Sequence, residues 1–377
     1  MRGRILFNGN LSDPSRFAQR VRPFLAEAAP PDRPPRVLLV TSAWGRGELG
    51  EGVIKEALNA VGVPSRFEGG YDRNIVNLCA WHVWQDFLAR RPDVSAVAAE
   101  LAAVEEATRR FYLESTAFHA ERIRRSVRFA RSQLPGFHLG GVPLVAVQSV
   151  RPDAILTGRE LLARAMNREL SQSLDALVRN DARMLETLDE AEELVHARTG
   201  LRLDPEWQRA RAELEQRILW ADAILIFGGS PDQLLGPFEF FELRPAILET
   251  LRRGALLCTV SAGSLLACER MIVYDDYNPD PARREFRLHD RGLGLVGGLQ
   301  IMPHCMDRIQ TEDPDNLAYL ARRFSSQICV GLNEESFLLV DLAAPSATSV
   351  GIHDGVYVFG RSGVKLCYRT GESIPLP

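Results

Sequence analysis

A serine at the point where a buried strand turns into a helix is the residue of this sequence best suited to nucleophilic chemistry. Ser261 follows the apolar run 255–260 and precedes Ala262 and Gly263, whose small size allows a tight turn. Such a turn lifts the hydroxyl off the strand end and points the next backbone N–H at a developing oxyanion. The pattern predicts Ser261 as a nucleophile, and a plain packing turn of small residues is the alternative.

A serine hydroxyl needs a base, because its own pKa leaves it inert near neutral pH. His304 follows the short apolar segment 300–303, so we expect it to reach a neighbouring strand end and to meet Ser261 at the same edge of one sheet. The base needs an acceptor that fixes its tautomer. The carboxylates between the two residues in the chain are Glu269, Asp275, Asp276, Asp280, Glu285 and Asp290.

A glycine pair, Gly228 and Gly229, follows another buried run at 223–227. Ligands of open α/β sheets bind at the carboxyl ends of the strands, and glycine lets a backbone N–H approach a substrate closely. We expect Gly229 to supply an oxyanion donor, and Gly228 and Gln233 to contact the substrate. An ordinary strand-to-helix turn is the alternative.

The elements that must position these residues have the pattern of an α/β fold. Uninterrupted apolar runs such as 37–40 are typical of parallel strands buried on both faces, and they alternate with helical patterns. This rhythm predicts a three-layer sandwich with a mostly parallel sheet, formed by residues 1–70 and 204–377. Residues 71–203 are mostly helical in pattern and predict an insertion that is a subdomain with its own core, a lid, or an oligomerisation or partner surface.

The predicted strands are 5–8, 37–40, 65–68, 144–150, 223–227, 255–260, 299–302, 329–332, 337–340 and 355–359, and one helix is expected over 239–253.

Composition excludes several classes of function. A net charge of -4 over 377 residues gives no footprint for nucleic acid and no polybasic membrane patch. No apolar run approaches the ~18 residues of a membrane span, and the N-terminus lacks the apolar region of a signal peptide. We expect a cytoplasmic protein that acts on a small peptide or amide, with no nucleic-acid or membrane partner; a homodimer is left open.

No cofactor and no metal ion are expected. The six cysteines form no C-x-x-C pair and lack zinc spacing. Cys258 and Cys305 are expected to be buried packing thiols. Segment 292–297 matches G-x-G-x-x-G, but charged residues stand at 287–291 where a strand should precede it, and a strand is expected to follow instead of a helix.

The order of these segments resembles peptidase family S51, the dipeptidase E and cyanophycinase-like enzymes with a class I glutamine amidotransferase-like (flavodoxin-like) fold. The resemblance covers 220–360 well and 1–70 weakly. It rests on the glycine pair, the Ser261 turn, the stretch from Gly292 to Pro303-His304, and Gly331 to Glu335.

The resemblance implies Ser261 as nucleophile, His304 as general base, Gly229 and Ala262 as oxyanion donors and Asp276 as the orienting acid. Asp275 is adjacent and leaves that last assignment open. Arg308 would hold a substrate carboxylate or form a surface salt bridge. The implied reaction is hydrolysis of a peptide or isopeptide bond after an aspartyl or β-aspartyl residue.

Three positions depart from the family pattern. Thr259 replaces a usual Gly, Ser264 a usual Ala, and Cys305 a usual aromatic residue. These departures keep two alternatives open: a catalytically impaired binding or scaffold protein on the same fold, and an acyl transferase that uses a non-water acceptor.

Overall fold

The computed structural model describes residues 2–64, 74–142, 157–274, 286–324, 327–344, 346–351 and 355–376. The strands predicted at 65–68 and 144–150 lie outside these residues.

The strands are β1 (Arg4–Asn8), β2 (Val37–Val40), β3 (Ile75–Asn77), β4 (Ala223–Ile226), β5 (Leu256–Val260), β6 (Arg270–Tyr274), β7 (Phe286–Arg291), β8 (Leu299–Pro303), β9 (Ile328–Leu332), β10 (Ser336–Asp341), β11 (Ser346–Gly351), β12 (Val356–Phe359), β13 (Lys365–Tyr368) and β14 (Ser373–Pro375).

The α-helices are α1 (Pro14–Ala28), α2 (Gly52–Ala60), α3 (Ala80–Arg90), α4 (Pro92–Gln133), α5 (Gly158–Thr199), α6 (Pro205–Trp220), α7 (Pro231–Phe240), α8 (Arg244–Arg252), α9 (Ala262–Ala267), α10 (Cys305–Arg308) and α11 (Pro314–Arg323), and the 3₁₀ helices are η1 (Ser42–Gly47), η2 (Leu139–Gly141) and η3 (Leu201–Leu203).

The main sheet has eight strands in the order β14-β11-β10-β1-β5-β4-β2-β3. The run from β1 to β3 is parallel, and β10, β11 and β14 extend it in antiparallel fashion. Strands β2, β4 and β5 are buried at every position, as expected for strands covered on both faces. The predicted α/β class with a mostly parallel central sheet is confirmed.

Successive residues of a strand point to opposite faces of the sheet. Because the residues on both faces are apolar here, helices cover both faces. Leu39 of β2 packs in a cluster with Phe17 of α1, on the face that α1 and α2 cover. Its neighbour Leu38 packs in the cluster that contains Trp207 of α6, on the opposite face. The result is the three-layer arrangement predicted from the alternating pattern.

A second sheet of four strands has the order β13-β12-β9-β8. Strand β8 pairs with β9 in parallel, and the register runs from Leu299 opposite Ile328 to Pro303 opposite Leu332. His304 therefore follows a strand of this sheet, whereas Ser261 follows β5 of the main sheet. The expectation that both residues lie at the edge of one sheet is wrong, because β8 finds its pairing partner in β9.

Two 42-residue helices, α4 and α5, form most of the helical region. They run antiparallel, as the ion pairs Arg122–Glu169 and Arg198–Glu100 show. A buried bidentate pair between Asp181 of α5 and Arg323 of α11 links α5 to the part of the chain that carries the second sheet.

The expected insertion boundary at residue 71 differs from the structure. Strand β3 pairs with β2 in the main sheet, and Phe87 of α3 belongs to the apolar cluster on one face of that sheet. These residues complete the sheet and its covering layer, so the long helices outside the sheet begin only at Pro92.

Two further predictions are corrected. The helix expected over 239–253 is two helices, α7 and α8, separated at Glu242, whose φ of 49° is left-handed. The charged segment 287–291 belongs to strand β7, which pairs with β6. Leu288 and Asp290 are buried, whereas Arg287 and Arg291 are exposed. Buried and exposed positions therefore alternate as in a strand, but the charged residues made this pattern hard to recognise in the sequence.

Strand β8, not a helix, follows the G-x-G-x-x-G match, as predicted. Among the helices in the described ranges, none combines the length and the apolar character needed to cross a membrane.

Candidate active site

Ser261 occupies a strained turn between β5 and α9. Its φ of 51° and ψ of -114° lie outside the regions that non-glycine residues favour, and such a conformation costs about 1–3 kcal/mol. The backbone holds it on both sides: the Ser261 N–H donates to the carbonyl of Asn8 at 3.1 Å, and the Ser264 N–H donates to the Ser261 carbonyl at 2.9 Å. Strain that the surroundings enforce in this way is typical of functional sites.

The turn requires glycine at two positions that lie next to it in space, Gly228 and Gly263. A Cβ atom on Gly228 would lie 2.7 Å from the Cβ of Ser261 and 2.9 Å from the backbone nitrogen of Ala262. A Cβ on Gly263 would lie 2.4 Å from the carbonyl oxygen of Ile226. The end of β4 therefore packs directly against the Ser261 turn.

Two of the departures from the family pattern compensate each other. The Thr259 hydroxyl lies 3.0 Å from the Ser264 hydroxyl, which in turn donates to the Asn8 carbonyl at 3.0 Å. All three residues are buried. Because the two hydroxyl groups satisfy one another, replacing the usual Gly and Ala leaves no unpaired polar atom at these side chains.

His304 meets Ser261 as the sequence predicts. It follows β8 in a left-handed conformation, with φ 52° and ψ 38°. The distance from Ser261 Oγ to His304 Nε2 is 2.7 Å, within hydrogen-bond reach. For Nε2 to accept the serine proton, the ring must carry its own proton on Nδ1.

Two backbone N–H groups near Ser261 are available to an oxyanion. In the part of the chain that the structure describes, neither the Gly229 N–H nor the Ala262 N–H has a hydrogen-bond acceptor. Ala262 is the first residue of α9, where N–H groups lack a partner within the helix. Gly229 has a φ of 151°, and a Cβ there would lie 2.6 Å from the carbonyl oxygen of Ala43.

Comparison with known proteins gives a match at the same residues. Residues 181–343, which include Ser261 and His304, match the family model described as Peptidase family S51. The resemblance to peptidase family S51 is confirmed. A match to this family supports a peptidase-type function.

One solved structure similar to this chain is the "Crystal structure of a peptidase from an acI-B1 Actinobacterium". The two are 13% identical, the alignment covers 100% of this chain and 97% of that chain, and the TM-score is 0.44. No curated protein matches the sequence.

A loop outside the S51 match fixes the glycine pair, and sequence reasoning missed it. In η1, the Ala43 carbonyl accepts from the Ser230 N–H at 3.0 Å, and Trp44 Nε1 donates to the Gly228 carbonyl at 3.0 Å. Gln233, expected to bind substrate, places its side-chain amide against Gly45 of this loop. No motif marks these residues, because they act through one backbone carbonyl, one indole N–H and packing.

The loop is held in turn by a fully buried carboxylate. The Glu48 carboxylate accepts a hydrogen bond from the Ser42 hydroxyl at 2.6 Å and one from the backbone N–H of His82 at 2.8 Å. It also lies 2.7 Å from His82 Nδ1. Glu48 thereby ties η1 to the start of α3.

Cys305 and Arg308 follow His304 in the S51 segment. Cys305 is buried, and its Sγ lies 2.4 Å from where a Cβ of Gly331 would be, so this thiol packs directly against Gly331. Burial raises the pKa of the Cys305 thiol to about 12, which keeps it a weak nucleophile. The Arg308 N–H donates to the His304 carbonyl at 3.0 Å, and its side chain is partly buried.

The electrostatics around His304 favour its neutral form. Burial lowers the pKa of the imidazole, and the charges of Asp307 and Glu334 oppose this effect. Asp276 and Asp275 lie outside the described residues. Sequence reasoning considered only carboxylates between Ser261 and His304, so it missed Asp307 and Glu334. Two features could have indicated them. Asp307 lies about one helical turn after His304, and Glu334 belongs to the segment Gly331 to Glu335 on which the S51 resemblance rests.

No metal site is evident in the ranges that the structure describes, where no three His, Cys, Asp or Glu side chains could hold an ion together.

Replacing Gly228 with alanine tests the packing against the Ser261 turn. The added Cβ must displace Ser261 or Ala262, and a misplacement of about 1 Å can cost roughly 100-fold in rate. We expect Gly228→Ala to slow labelling of Ser261 by a fluorophosphonate by about that factor. Gly52→Ala is the matched control, since a Cβ there meets nothing within 4 Å. Equal labelling rates in both variants would show that the contact is unimportant.

The pH dependence of the same labelling tests the state of His304. If His304 acts as the base it must be neutral, so labelling should fall as the pH drops through its pKa. Because burial lowers that pKa, the midpoint should lie below the ordinary value of about 6.5. Glu334→Gln removes a charge that raises the pKa and should move the midpoint lower still, whereas the exposed Glu27→Gln should not move it. A midpoint above about 6.5 contradicts this account.

Proposed function

We propose that the protein is a serine peptidase or related amidohydrolase in which Ser261 is the nucleophile and His304 the general base. The observation that carries this proposal is the 2.7 Å approach of Ser261 Oγ to His304 Nε2. The strained backbone of Ser261 supports it, because a residue with only a packing role would gain nothing from that conformation.

In the proposed first step, Ser261 Oγ attacks the acyl carbon while its proton passes to His304 Nε2. The negative charge on the acyl oxygen is received by the N–H groups of Gly229 and Ala262. His304 then gives the proton to the leaving amine as the C–N bond breaks, which leaves an acyl-enzyme. Water, deprotonated by His304, repeats the sequence and releases the acid.

An acid is required to hold the Nδ1 proton of His304 during these steps. We assign this role to Asp276 from the S51 resemblance, with Asp275 beside it. Glu334 and Asp307 are the described carboxylates whose charge acts on the imidazole. Either would stabilise the imidazolium form through its charge, whether or not it also orients the ring.

The substrate class follows from the same resemblance. We propose a peptide or isopeptide bond that follows an aspartyl or β-aspartyl residue, as in dipeptidase E and cyanophycinase-like enzymes. Arg308 is one turn beyond the proposed base, and its guanidinium is assigned to a substrate carboxylate.

Removing either member of the central pair tests the proposal. Ser261→Ala and His304→Ala should each reduce hydrolysis of an aspartyl peptide by about 10³-fold or more. A fluorophosphonate should label the wild-type protein and not the Ser261→Ala variant, while Ser132→Ala, at an exposed serine of α4, should behave as wild type. Full turnover by Ser261→Ala would exclude the mechanism. Folded wild-type protein that takes no label would favour a scaffold, and transfer to added amines in place of water would indicate an acyl transferase.

Four neutralising substitutions identify the orienting acid. If Asp276 holds the ring, Asp276→Asn should lower the rate by about 10⁴-fold. Asp275→Asn, Glu334→Gln and Asp307→Asn should then stay within about 10-fold of wild type, since Asp276 would still hold the Nδ1 proton in each of them. A loss with Glu334→Gln that matches the expected loss for Asp276→Asn would move the role to Glu334.

A further inference from the structure

Helix α4 exposes a row of large apolar side chains. Val104, Phe111, Phe118 and Phe129 are 45%, 69%, 66% and 60% exposed. Single exposed apolar residues are ordinary, but an aligned row of them, three of which are phenylalanines, is typical of an interaction surface. These four residues are called the α4 stripe.

The α4 stripe is a separate face of the helix. Its members are 7, 7 and 11 residues apart, and at ~100° per residue they fall within an arc of about 40° over a length of roughly 37 Å. The buried residues of α4, such as Ile123 and Val127, pack with α5 on another face, roughly a third of a turn away. Packing between α4 and α5 therefore does not account for the stripe.

The charge of α4 changes sign along its length. Residues 92–114 contain five acidic residues and two arginines, whereas residues 115–133 contain one acidic residue and five arginines. A second α4 laid parallel to the first would set like charges against each other. An antiparallel copy sets the acidic half of each helix against the basic half of the other, so the surface complements itself.

We propose that the α4 stripe binds a second copy of this chain, with the two α4 helices antiparallel about a two-fold axis near Ser115. This axis lies between Phe111 and Phe118, so Phe111 of each copy faces Phe118 of the other. A two-fold contact of this kind uses the same patch on both copies. Aromatic residues at its centre and charges at its rim are the usual composition of protein interfaces.

Sedimentation velocity at increasing protein concentration tests the proposal. The wild-type protein should be a dimer, and the double variant Phe111→Ser with Phe118→Ser should dissociate with a Kd at least about 100-fold higher, because two buried aromatic contacts are lost. Leu203→Ser is the matched control: Leu203 is 84% exposed but belongs to η3, and this variant should remain dimeric. Circular dichroism verifies that both variants keep their helices.

Several outcomes of this experiment would overturn the proposal. They are a wild-type protein that stays monomeric at roughly 100 μM, a double variant that dimerises as well as wild type, or a Leu203 variant that dissociates like the double variant. Binding of a monomeric wild-type protein to anionic lipid vesicles, lost in the double variant, would assign the stripe to a membrane surface instead.

Charge reversal tests the antiparallel direction. Glu100→Arg with Glu114→Arg makes α4 mainly basic, and Arg122→Glu with Arg125→Glu makes it mainly acidic; all four positions lie within roughly 60° of the centre of the stripe. Each double variant should self-associate at least about 10-fold more weakly than wild type, and an equal mixture should form a heterodimer. Undiminished self-association of each variant, or a mixture that associates no better than its components, contradicts the antiparallel arrangement.

A cysteine near the axis gives independent evidence of direction. In a Cys367→Ser background, which removes the exposed native thiol, Ser115→Cys should form a disulfide between copies under mild oxidation, and Val104→Cys should not. Cross-linking at Val104 that equals cross-linking at Ser115 would indicate parallel helices, since only those bring identical positions together along the whole length.

Discussion

The hydrogen-bond contact between Ser261 and His304 is the constraint on which the active-site account depends. It joins two residues 43 positions apart that follow strands of different sheets. Both have positive φ angles, 51° and 52°, so neither side chain would have its present direction on a regular backbone. The two sheets must therefore hold a fixed relation for the 2.7 Å distance to persist.

Backbone contacts around Ser261 hold its turn against the neighbouring strands of the main sheet. Gly228 and Gly263 let β4 and α9 approach where any side chain would collide. Asn8 at the end of β1 receives both the Ser261 N–H and the Ser264 hydroxyl. The strain of the turn is thus distributed over three adjacent strands of the main sheet, which supports a rigid site more than a mobile one.

The fold class and the central pair could be predicted from sequence because their signals are local. Buried apolar runs that end in Ser261 or in the glycine pair, and the run that leads to His304, are recognisable one segment at a time. Which strands pair is a non-local property, so the sheet that carries His304 was assigned wrongly. Strand β7 was missed because arginines at its exposed positions outweighed the buried Leu288 and Asp290. The η1 loop acts through the Ala43 carbonyl and the Trp44 indole N–H, and these residues form no recognisable motif.

The most direct test of the central claim is a crystal structure of the protein after reaction with a fluorophosphonate. The phosphonyl oxygen then occupies the position of the oxyanion. We expect the phosphorus to be bonded to Ser261 Oγ, with that oxygen about 2.7–3.1 Å from the backbone nitrogens of both Gly229 and Ala262. An adduct on another residue, or an oxygen that faces neither nitrogen, would contradict the account.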